Sequence, residues 1–334
     1  MITIIAKKYK SSDQSKRIDF IVLAALLIAV ILGTANNPLL AEDAAGLDVA
    51  IPTRIISTSP SLTETLFALG LGDRIIAVSD YCRYPSKVER LQKIGGLFNP
   101  NIEKIVELRP DCVVLLTEHA QLEERLNAFG IRTITVDHSN VAGIMESFGI
   151  IAKHFDQKTQ KSADELANTI QARLDRLKSL KLAEKPCRVL ICIDRERGVP
   201  VSQVYAAGRN RYFNELLTLA GGVNVYAKSA AAVPTVSLES ILEKNPDVIF
   251  DFTADWESAG TQLTDELLAS YRRDWSSLGK NIAATRDSRV YPILNDFATV
   301  PGPRFIDLAE TFAKILHPQM CEKILDVPKT PSER

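Results

Sequence analysis

The chain has 334 residues, of which 46% are hydrophobic and 24% are charged, with 40 Lys and Arg against 41 Asp and Glu. This composition is typical of a globular protein and excludes disordered, collagen-like and disulfide-stapled chains. The net charge of −1 argues against a nucleic-acid-binding protein, which would carry a basic excess to neutralise phosphates. The length predicts about two domains, because single hydrophobic cores stop growing beyond roughly 250–300 residues.

The N-terminus combines a basic start with an apolar run. Five basic and two acidic residues lie within residues 1–19, and the 14 residues 20–33 are uncharged. This run is short for a membrane span of about 20 residues, so residues 1–41 are predicted to be a secretory signal peptide, cleaved near Ala35 or Ala41. An uncleaved N-terminal anchor is the alternative, and both interpretations place the rest of the chain in the periplasm. No Cys lies near the apolar run, which argues against a lipid anchor.

From residue 54 onwards, short β-branched runs alternate with amphipathic segments. Gly70 and Gly130 follow predicted helices, and Pro110 prevents another helix from continuing. Strands that alternate with helices of about ten residues form βαβ units, so a largely parallel sheet is expected. The predicted strands are 54–57, 75–78, 112–116 and 132–136, and the predicted helices are 61–69, 102–108 and 120–129.

The second half of the chain repeats the pattern of the first. Residues 214–222 resemble residues 64–72, and residues 238–247 resemble residues 102–111, in the same order along the chain. In the second pair, each block ends in Pro-Asp and is followed by an apolar run that predicts a strand. Two matches in the same order favour two similar α/β lobes over chance similarity.

The two lobes are predicted to be joined by a stiff helical connector. Residues 141–155 and 162–180 have helical periodicity, and no Pro or Gly occurs between residues 155 and 185. A helix of about 19 residues spans close to 28 Å, so the lobes should open and close only slightly. The expected organisation is an N-terminal α/β lobe at 42–140, a connector at 141–185, a C-terminal α/β lobe at 186–320 and a tail at 321–334.

The sequence contains no familiar catalytic or metal-binding motif. A nucleophile elbow, a phosphate-binding loop, a zinc-protease motif and a dinucleotide fingerprint are missing, and the four His are dispersed without metal-ligand spacing. The five Cys are odd in number and scattered, which argues against a disulfide framework. We therefore expect a monomeric binding protein without catalytic residues, a metal site or a cofactor.

Aromatic and basic side chains collect in loops that follow predicted strands in both lobes. Ligands of α/β lobes bind outside the carboxyl ends of strands, so these loops predict a ligand cleft. Flat rings with arginines nearby suit a large, flat or polydentate ligand that carries carboxylates, amides or catecholates. The candidate ligand-binding residues are Tyr81, Arg83, Tyr84, Phe98 and Asn99 in the first lobe and Tyr205, Arg209, Tyr212, Phe297 and Arg304 in the second.

Five motifs lie at residues 54–70, 80–85, 99–103, 109–111 and 220–224. Together they resemble the periplasmic-binding family for iron siderophores, haem and cobalamin, over nearly the whole chain that follows the signal. The resemblance implies a class III, helical-backbone metal receptor, in which two Rossmann-like α/β lobes are bridged by a single long helix and the ligand lies between them. It also implies delivery of a metal chelate to the permease dimer of an ABC importer in the inner membrane.

Two glutamates occupy equivalent positions in the repeat, near the start of a predicted helix in each lobe. Glu103 and Glu239 could simply stabilise their helices, because acids near a helix N-terminus contribute about 0.3–1 kcal/mol. The resemblance implies a different role, since glutamates that match these positions dock into arginine pockets of the two permease subunits. We therefore expect both glutamates to be transporter-docking residues.

The loop that begins at Tyr81 resembles that of cobalamin-binding members, in which an aromatic residue flanks the corrin. Arg83 departs from the acidic or small residue expected there, and its charge suits an anionic ferric siderophore or haem propionates better than neutral corrin amides. Tyr81, Tyr84, Tyr205 and Cys82 could bind haem iron, but no axial-ligand motif is found, and Cys82 is expected to fill space. The expected cargo is a corrinoid first, a ferric siderophore second and haem third. A corrinoid- or metal-dependent enzyme and a membrane-tethered sensor are the alternatives from other classes.

Overall fold

The computed structural model describes residues 50–182, 184–252 and 263–325. Residues 1–50 and residues 51–334 form two separate units, and the architecture below is that of the second unit. The predicted signal peptide or anchor, both of its cleavage positions and the end of the predicted tail lie outside the described residues. Among the helices of the described part, none is long and apolar enough to cross a membrane.

The first lobe is a parallel sheet flanked by helices, as the alternation of segments predicts. Its strands are β1 (Ile55–Ser57), β2 (Ile75–Val78), β3 (Gln92–Lys93), β4 (Cys112–Leu116) and β5 (Thr133–Val136), and its helices are α1 (Pro60–Ala68), α2 (Ile102–Glu107) and α3 (Ala120–Ala128). The strands lie in the order β3-β2-β1-β4-β5. Alternate residues of β4 belong to two different apolar cores, so both faces of this sheet are covered. Of the strands in this sheet, β3 alone was not predicted, because two residues are too few to show the alternation of apolar and polar side chains.

Two helices follow the first sheet, α4 (Val141–Ala152) and α5 (Gln157–Ser179). Asn140 and Asp156 cap them by accepting backbone N–H bonds from the first turn. The predicted long helix is confirmed, and it is longer than expected because the Asp156 cap starts it five residues earlier. Its 23 residues span about 34 Å.

The second lobe has a six-stranded mixed sheet. Its strands are β6 (Cys187–Asp194), β7 (Gln203–Ala206), β8 (Gly222–Asn224), β9 (Thr235–Ser237), β10 (Val248–Phe252) and β11 (Val290–Ile293), and its helices are α6 (Arg211–Leu219), α7 (Leu238–Lys244), α8 (Asp265–Asp274), α9 (Ala283–Arg286), α10 (Phe305–Leu316) and α11 (Cys321–Leu325). The order is β11-β10-β6-β7-β9, with β8 beside the start of β6. β7 is antiparallel to both neighbours, because the short link from β6 leaves no room for a crossover helix.

Helix α5 packs against both lobes and so joins them. It contacts α1 in the first lobe and α6 and α10 in the second. The buried Arg173 of α5 donates from Nε and Nη2 to the Glu310 carboxylate of α10, at 2.8 Å each, and from Nη2 to Asp307 at 2.5 Å. Burial would lower the pKa of Arg173, but these carboxylates raise it. The predicted fold class, two α/β lobes bridged by one long helix, is confirmed.

The internal repeat is visible in matching hydrogen bonds at the start of the central strand of each lobe. Asp111 accepts from the backbone N–H of Arg54, and Asp247 accepts from that of Arg188, at 3.0 Å in both lobes. The side chains of Arg54 and Arg188 donate in turn to a carbonyl at the C-terminal end of α2 and α7, respectively. The Pro-Asp pair of each lobe therefore has a structural role, because the Asp carboxylate joins the turn between helix and strand to the neighbouring strand.

Candidate ligand cleft

An ion pair joins the two lobes near loops that follow strands of each sheet. The loop of residues 79–85 follows β2, and the loop of residues 294–304 follows β11. Arg304, at the end of the second loop, donates through Nη2 and Nε to the Glu64 carboxylate of α1, at 2.6 and 2.9 Å. Because this ion pair crosses from one lobe to the other near the strand ends, where α/β folds bind ligands, we take this region as the candidate ligand cleft.

The Arg304 guanidinium is enclosed by two carboxylates and two aromatic rings. Its Nη1 donates to both Asp296 oxygens at 2.8 and 3.0 Å, in addition to the Glu64 bonds. It lies 3.9 Å from the centroid of the Tyr84 ring and 5.1 Å from that of Phe297, which are cation–π distances. Burial would lower the pKa of Arg304, but the two carboxylates raise it. Burial raises the pKa of Glu64, and Arg304 opposes that rise.

Three predicted residues of the first lobe form an exposed rim on this side of the sheet, which we call the aromatic rim: Tyr81, Phe98 and Asn99. Tyr81 is 63% exposed and Phe98 85% exposed, which is unusual for rings of this size. Their two loops are tied together by the backbone bond from Asp80 to Gly95 at 2.9 Å. A Cβ at Gly96 would lie 2.4 Å from the Asn99 side-chain oxygen and 3.7 Å from the Tyr81 ring, so a glycine there lets the two loops approach.

The predicted residues of the second lobe lie at different depths. Tyr205 is 45% exposed and pairs with Asp194 at the carboxyl end of β6, and the Arg209 side chain is exposed. Tyr212 is only 4% exposed, and its hydroxyl donates to the Val300 carbonyl at 3.3 Å. Burial raises the pKa of this phenol. Tyr212 is therefore buried beneath the loop of residues 294–304, to which it is hydrogen-bonded, and it offers a ligand little surface.

The charged and sulfur-containing neighbours of Tyr84 also differ in exposure. Arg83 is exposed, whereas Cys82 is 1% exposed with its Sγ 3.1 Å from the Thr63 hydroxyl and 3.4 Å from that of Ser79. Burial raises the pKa of the Cys82 thiol, so it stays protonated and fills space. Within the described residues, no group of three or more His, Cys, Asp and Glu could hold a metal ion.

Glu103 and Glu239 lie at the second position of α2 and of α7, and both are exposed. Asn101 and Ser237 cap these two helices. Each helix crosses from one strand to the next parallel strand, β3 to β4 and β9 to β10, so it starts at the carboxyl edge of its sheet. The two carboxylates therefore lie at equivalent places, one on each lobe, at the edge that borders the cleft.

The sequence analysis missed Glu64 and Asp296 as partners in the cleft. Glu64 is the one charged residue of the largely buried helix α1, and its side chain is 4% exposed. Its partner Arg304 is 240 positions away in the chain. A buried acid in a largely buried helix indicates a cationic partner but not its identity, so no local pattern could have found this pair.

Comparison with known proteins gives a family match and relatives that align over most of their own length. A family model for periplasmic binding proteins matches residues 55–292. An uncharacterised ABC transporter substrate-binding lipoprotein of Bacillus subtilis is 30% identical over 329 residues, covering 88% of this chain and 96% of the relative. The vitamin B12-binding protein of Vibrio cholerae is 28% identical over 276 residues, covering 80% of this chain and 91% of the relative.

Solved structures share the architecture described above. The crystal structure of the periplasmic vitamin B12 binding protein BtuF of Vibrio cholerae is similar with a TM-score of 0.66 at 25% identity, covering 82% of this chain and 99% of its own. The periplasmic haem binding protein HutB of the same species is similar with a TM-score of 0.65 at 22% identity, covering 80% and 99%. The fold is thus common to proteins with different cargo, and side chains must discriminate between them.

Proposed function

The chain belongs to the periplasmic binding protein family, and we propose that it is an extracytoplasmic receptor that captures a metal chelate between its lobes and delivers it to an ABC importer of the inner membrane. The observation that carries this proposal is the ion pair of Arg304 with Glu64, which joins the strand ends of both lobes at one cleft. Transport requires capture and release only, so the proposal includes no catalytic step. The receptor acts as a monomer in the periplasm, with residues 1–41 removed as a signal peptide.

The cargo we propose is a corrinoid. The exposed rings of Tyr81, Phe98 and Tyr205 offer the flat apolar surface that a tetrapyrrole-like ring needs, and Asn99 can hydrogen-bond to peripheral amides. Arg304 adds no net positive charge to the cleft, because two carboxylates are bonded to it. That balance suits neutral amides better than carboxylates, and the relatives named for vitamin B12 support the same cargo.

A ferric siderophore or haem is the second candidate. The exposed guanidinium groups of Arg83 and Arg209 favour an anionic chelate, since arginine binds carboxylates in pairs of hydrogen bonds. Haem would require an axial ligand, and the exposed phenols of Tyr81 and Tyr205 are available for that role. The buried Cys82 is not, because it is enclosed by the Thr63 and Ser79 hydroxyls.

Docking to the permease is proposed to use Glu103 and Glu239. This proposal is supported by the equivalent positions of the two glutamates. Each is exposed and lies in the first turn of a capped helix, at the cleft edge of its lobe. Two carboxylates in repeated positions match a permease built from two like subunits, each presenting arginines.

The proposal is tested by the absorption spectrum of protein purified from its native source and by thermal shifts with cyanocobalamin, hemin and ferric siderophores. A ligand at 100 times its Kd adds about 2.7 kcal/mol to the free energy of unfolding, which gives a readily visible rise in Tm. We expect the largest shift with cyanocobalamin. If none of the three classes raises the Tm, the chelate-receptor proposal is wrong. The mass of the mature protein separates a cleaved signal peptide from a retained anchor.

A further inference from the structure

We infer that Arg304 is a positioning residue, which orients the Tyr84 ring in the cleft and does not itself contact the cargo. The inference rests on the proposed function as a chelate receptor, but it concerns how the cleft is built. It departs from the sequence-based expectation that Arg304 binds the ligand directly. Three observations carry it: the hydrogen bonds of the guanidinium to two carboxylates, its charge balance and its stacking on Tyr84.

Most of the hydrogen-bonding capacity of Arg304 is used within the protein. All three guanidinium nitrogens donate to carboxylates, Nε and Nη2 to Glu64 and Nη1 to Asp296, at 2.6–3.0 Å. The side chain is 12% exposed. A cargo group that bonded to Nε or Nη1 would displace one of these carboxylates, and the displaced carboxylate would then lose this partner. Direct recognition by Arg304 is therefore disfavoured.

The charge balance leads to the same conclusion. One guanidinium faces two carboxylates, of which Glu64 is 4% exposed and Asp296 is 38% exposed. The cluster as a whole is therefore not cationic, and it does not attract an anionic cargo over distance. Arg304 acts instead as the centre that holds Glu64 from the first lobe and Asp296 from the second in one network.

Stacking gives this network its effect on the cleft. The guanidinium carbon lies 3.9 Å from the Tyr84 ring centroid, close to the distance of face-to-face packing. Tyr84 belongs to the loop that follows β2 in the first lobe, whereas Arg304 is in the second lobe. The plane of the Tyr84 ring is thus set by a group that the opposite lobe supplies.

A second arginine provides a matched control. Arg74 also combines a carboxylate partner, Asp156 at 2.7 Å, with an aromatic ring, Phe155 at 5.6 Å. It directly precedes β2 and so lies at the amino edge of the sheet, opposite the cleft. Arg74→Met removes the same kind of interaction far from the cleft, in the lobe that carries Tyr84, and we expect it to leave cargo affinity unchanged.

The test is a double-mutant cycle with cyanocobalamin affinity as the readout, using Arg304→Met, Tyr84→Leu and the double variant. If Arg304 acts through Tyr84, Arg304→Met weakens binding about tenfold, and the double variant binds no more weakly than Tyr84→Leu within about a factor of two. Losses that multiply in the double variant, or an Arg304→Met protein with wild-type affinity, would overturn the inference. Arg304→Lys keeps the charge but not the planar stack, so we expect it to bind as weakly as Arg304→Met while folding normally.

A ligand-free arm separates this inference from the proposed function. In protein labelled with 3-fluorotyrosine, Tyr84→Phe identifies the ¹⁹F resonance of Tyr84. Arg304→Lys should move that resonance, whereas Arg74→Met should not. If cyanocobalamin, hemin and ferrichrome all fail to bind the wild-type protein, the proposed function fails, yet this spectrum still decides the role of Arg304. An unchanged Tyr84 resonance in Arg304→Lys would refute positioning.

Discussion

Acidification is expected to destabilise the protein through His138. This residue follows β5 and is 4% exposed, and its Nε2 lies 2.9 Å from the Ser147 hydroxyl of α4. Burial lowers the pKa of His138 to about 4, although the Asp137 carboxylate and the Pro301 backbone oppose the change. The native state therefore holds this imidazole neutral under conditions in which the unfolded chain would protonate it.

The size of the effect follows from the two pKa values. The unfolded value is 6.5 and the folded value is about 4. Between these values the unfolded state binds a proton that the native state does not, so stability falls as the pH falls. Above pH 6.5 neither state binds this proton, and His138 costs the native state no stability. As the pH falls from 6.5 to 4, the free energy of unfolding decreases. At 1.36 kcal/mol per pKa unit, the loss is about 3 kcal/mol.

The assay is urea unfolding at several pH values between 7.5 and 4, for the wild type and His138→Gln, whose amide can replace Nε2. Burial also lowers the pKa of His119, His154 and His317, with the same sign in both proteins. The difference between the two proteins therefore isolates His138. As the pH falls from 7.5 to 4, we expect the wild type to lose about 3 kcal/mol more of its free energy of unfolding than His138→Gln loses. A difference that stays constant with pH would refute a neutral buried His138.

Three further predictions concern docking, stability and the aromatic rim. Glu103→Ala combined with Glu239→Ala should abolish cargo uptake by cells while the Kd for cargo in calorimetry stays unchanged. Arg173→Met should lower the free energy of unfolding in urea by about 3–5 kcal/mol, because it removes the buried cation that pairs with two carboxylates of α10. Tyr81→Ala and Phe98→Ala should each weaken cargo binding without lowering the Tm, because both side chains are exposed.

Each of these predictions has a control on the same type of element. Glu107→Ala with Glu243→Ala removes exposed acids from the same two helices, and normal uptake by the docking variant would refute the docking proposal. Lys161→Met breaks an exposed pair on α5 and should change stability by less than about 1 kcal/mol; a similar value for the buried pair would contradict its assigned role. Phe129→Ala removes a 61% exposed ring at the opposite edge of the sheet and should leave cargo affinity unchanged. If Phe129→Ala weakens binding as much as Tyr81→Ala or Phe98→Ala, the aromatic rim is not part of the binding site.

The regular elements were largely predictable because they depend on local pattern. The predicted strands at 75–78 and 112–116 match β2 and β4 in both bounds, and the predicted connector contains α5. The errors have physical causes. Asp156 was not recognised as a cap, and β3 is too short to show alternation. The antiparallel β7 depends on a turn whose length, and not its hydrophobicity, sets the strand direction.

The sequence indicates which edge of each sheet carries the candidate residues, but not how deeply each of them is buried. Aromatic and basic residues after strands indicated the carboxyl edge of both lobes, because parallel strands direct all their C-terminal loops to one side. The same composition does not distinguish an exposed ring from a buried one. Tyr81 and Tyr212 look alike in sequence, yet the first is 63% exposed and the second is 4% exposed.

The sequence by itself determined the composition class, the order of strands and helices, the repeat of two lobes and the family to which they belong. These properties depend on periodicity and on motifs that neighbouring residues form together. Only the tertiary structure decided that Arg304 pairs with Glu64 and stacks on Tyr84. The physical reason is that charge balance and ring orientation depend on groups hundreds of residues apart, which come into contact only when the two lobes close on one cleft.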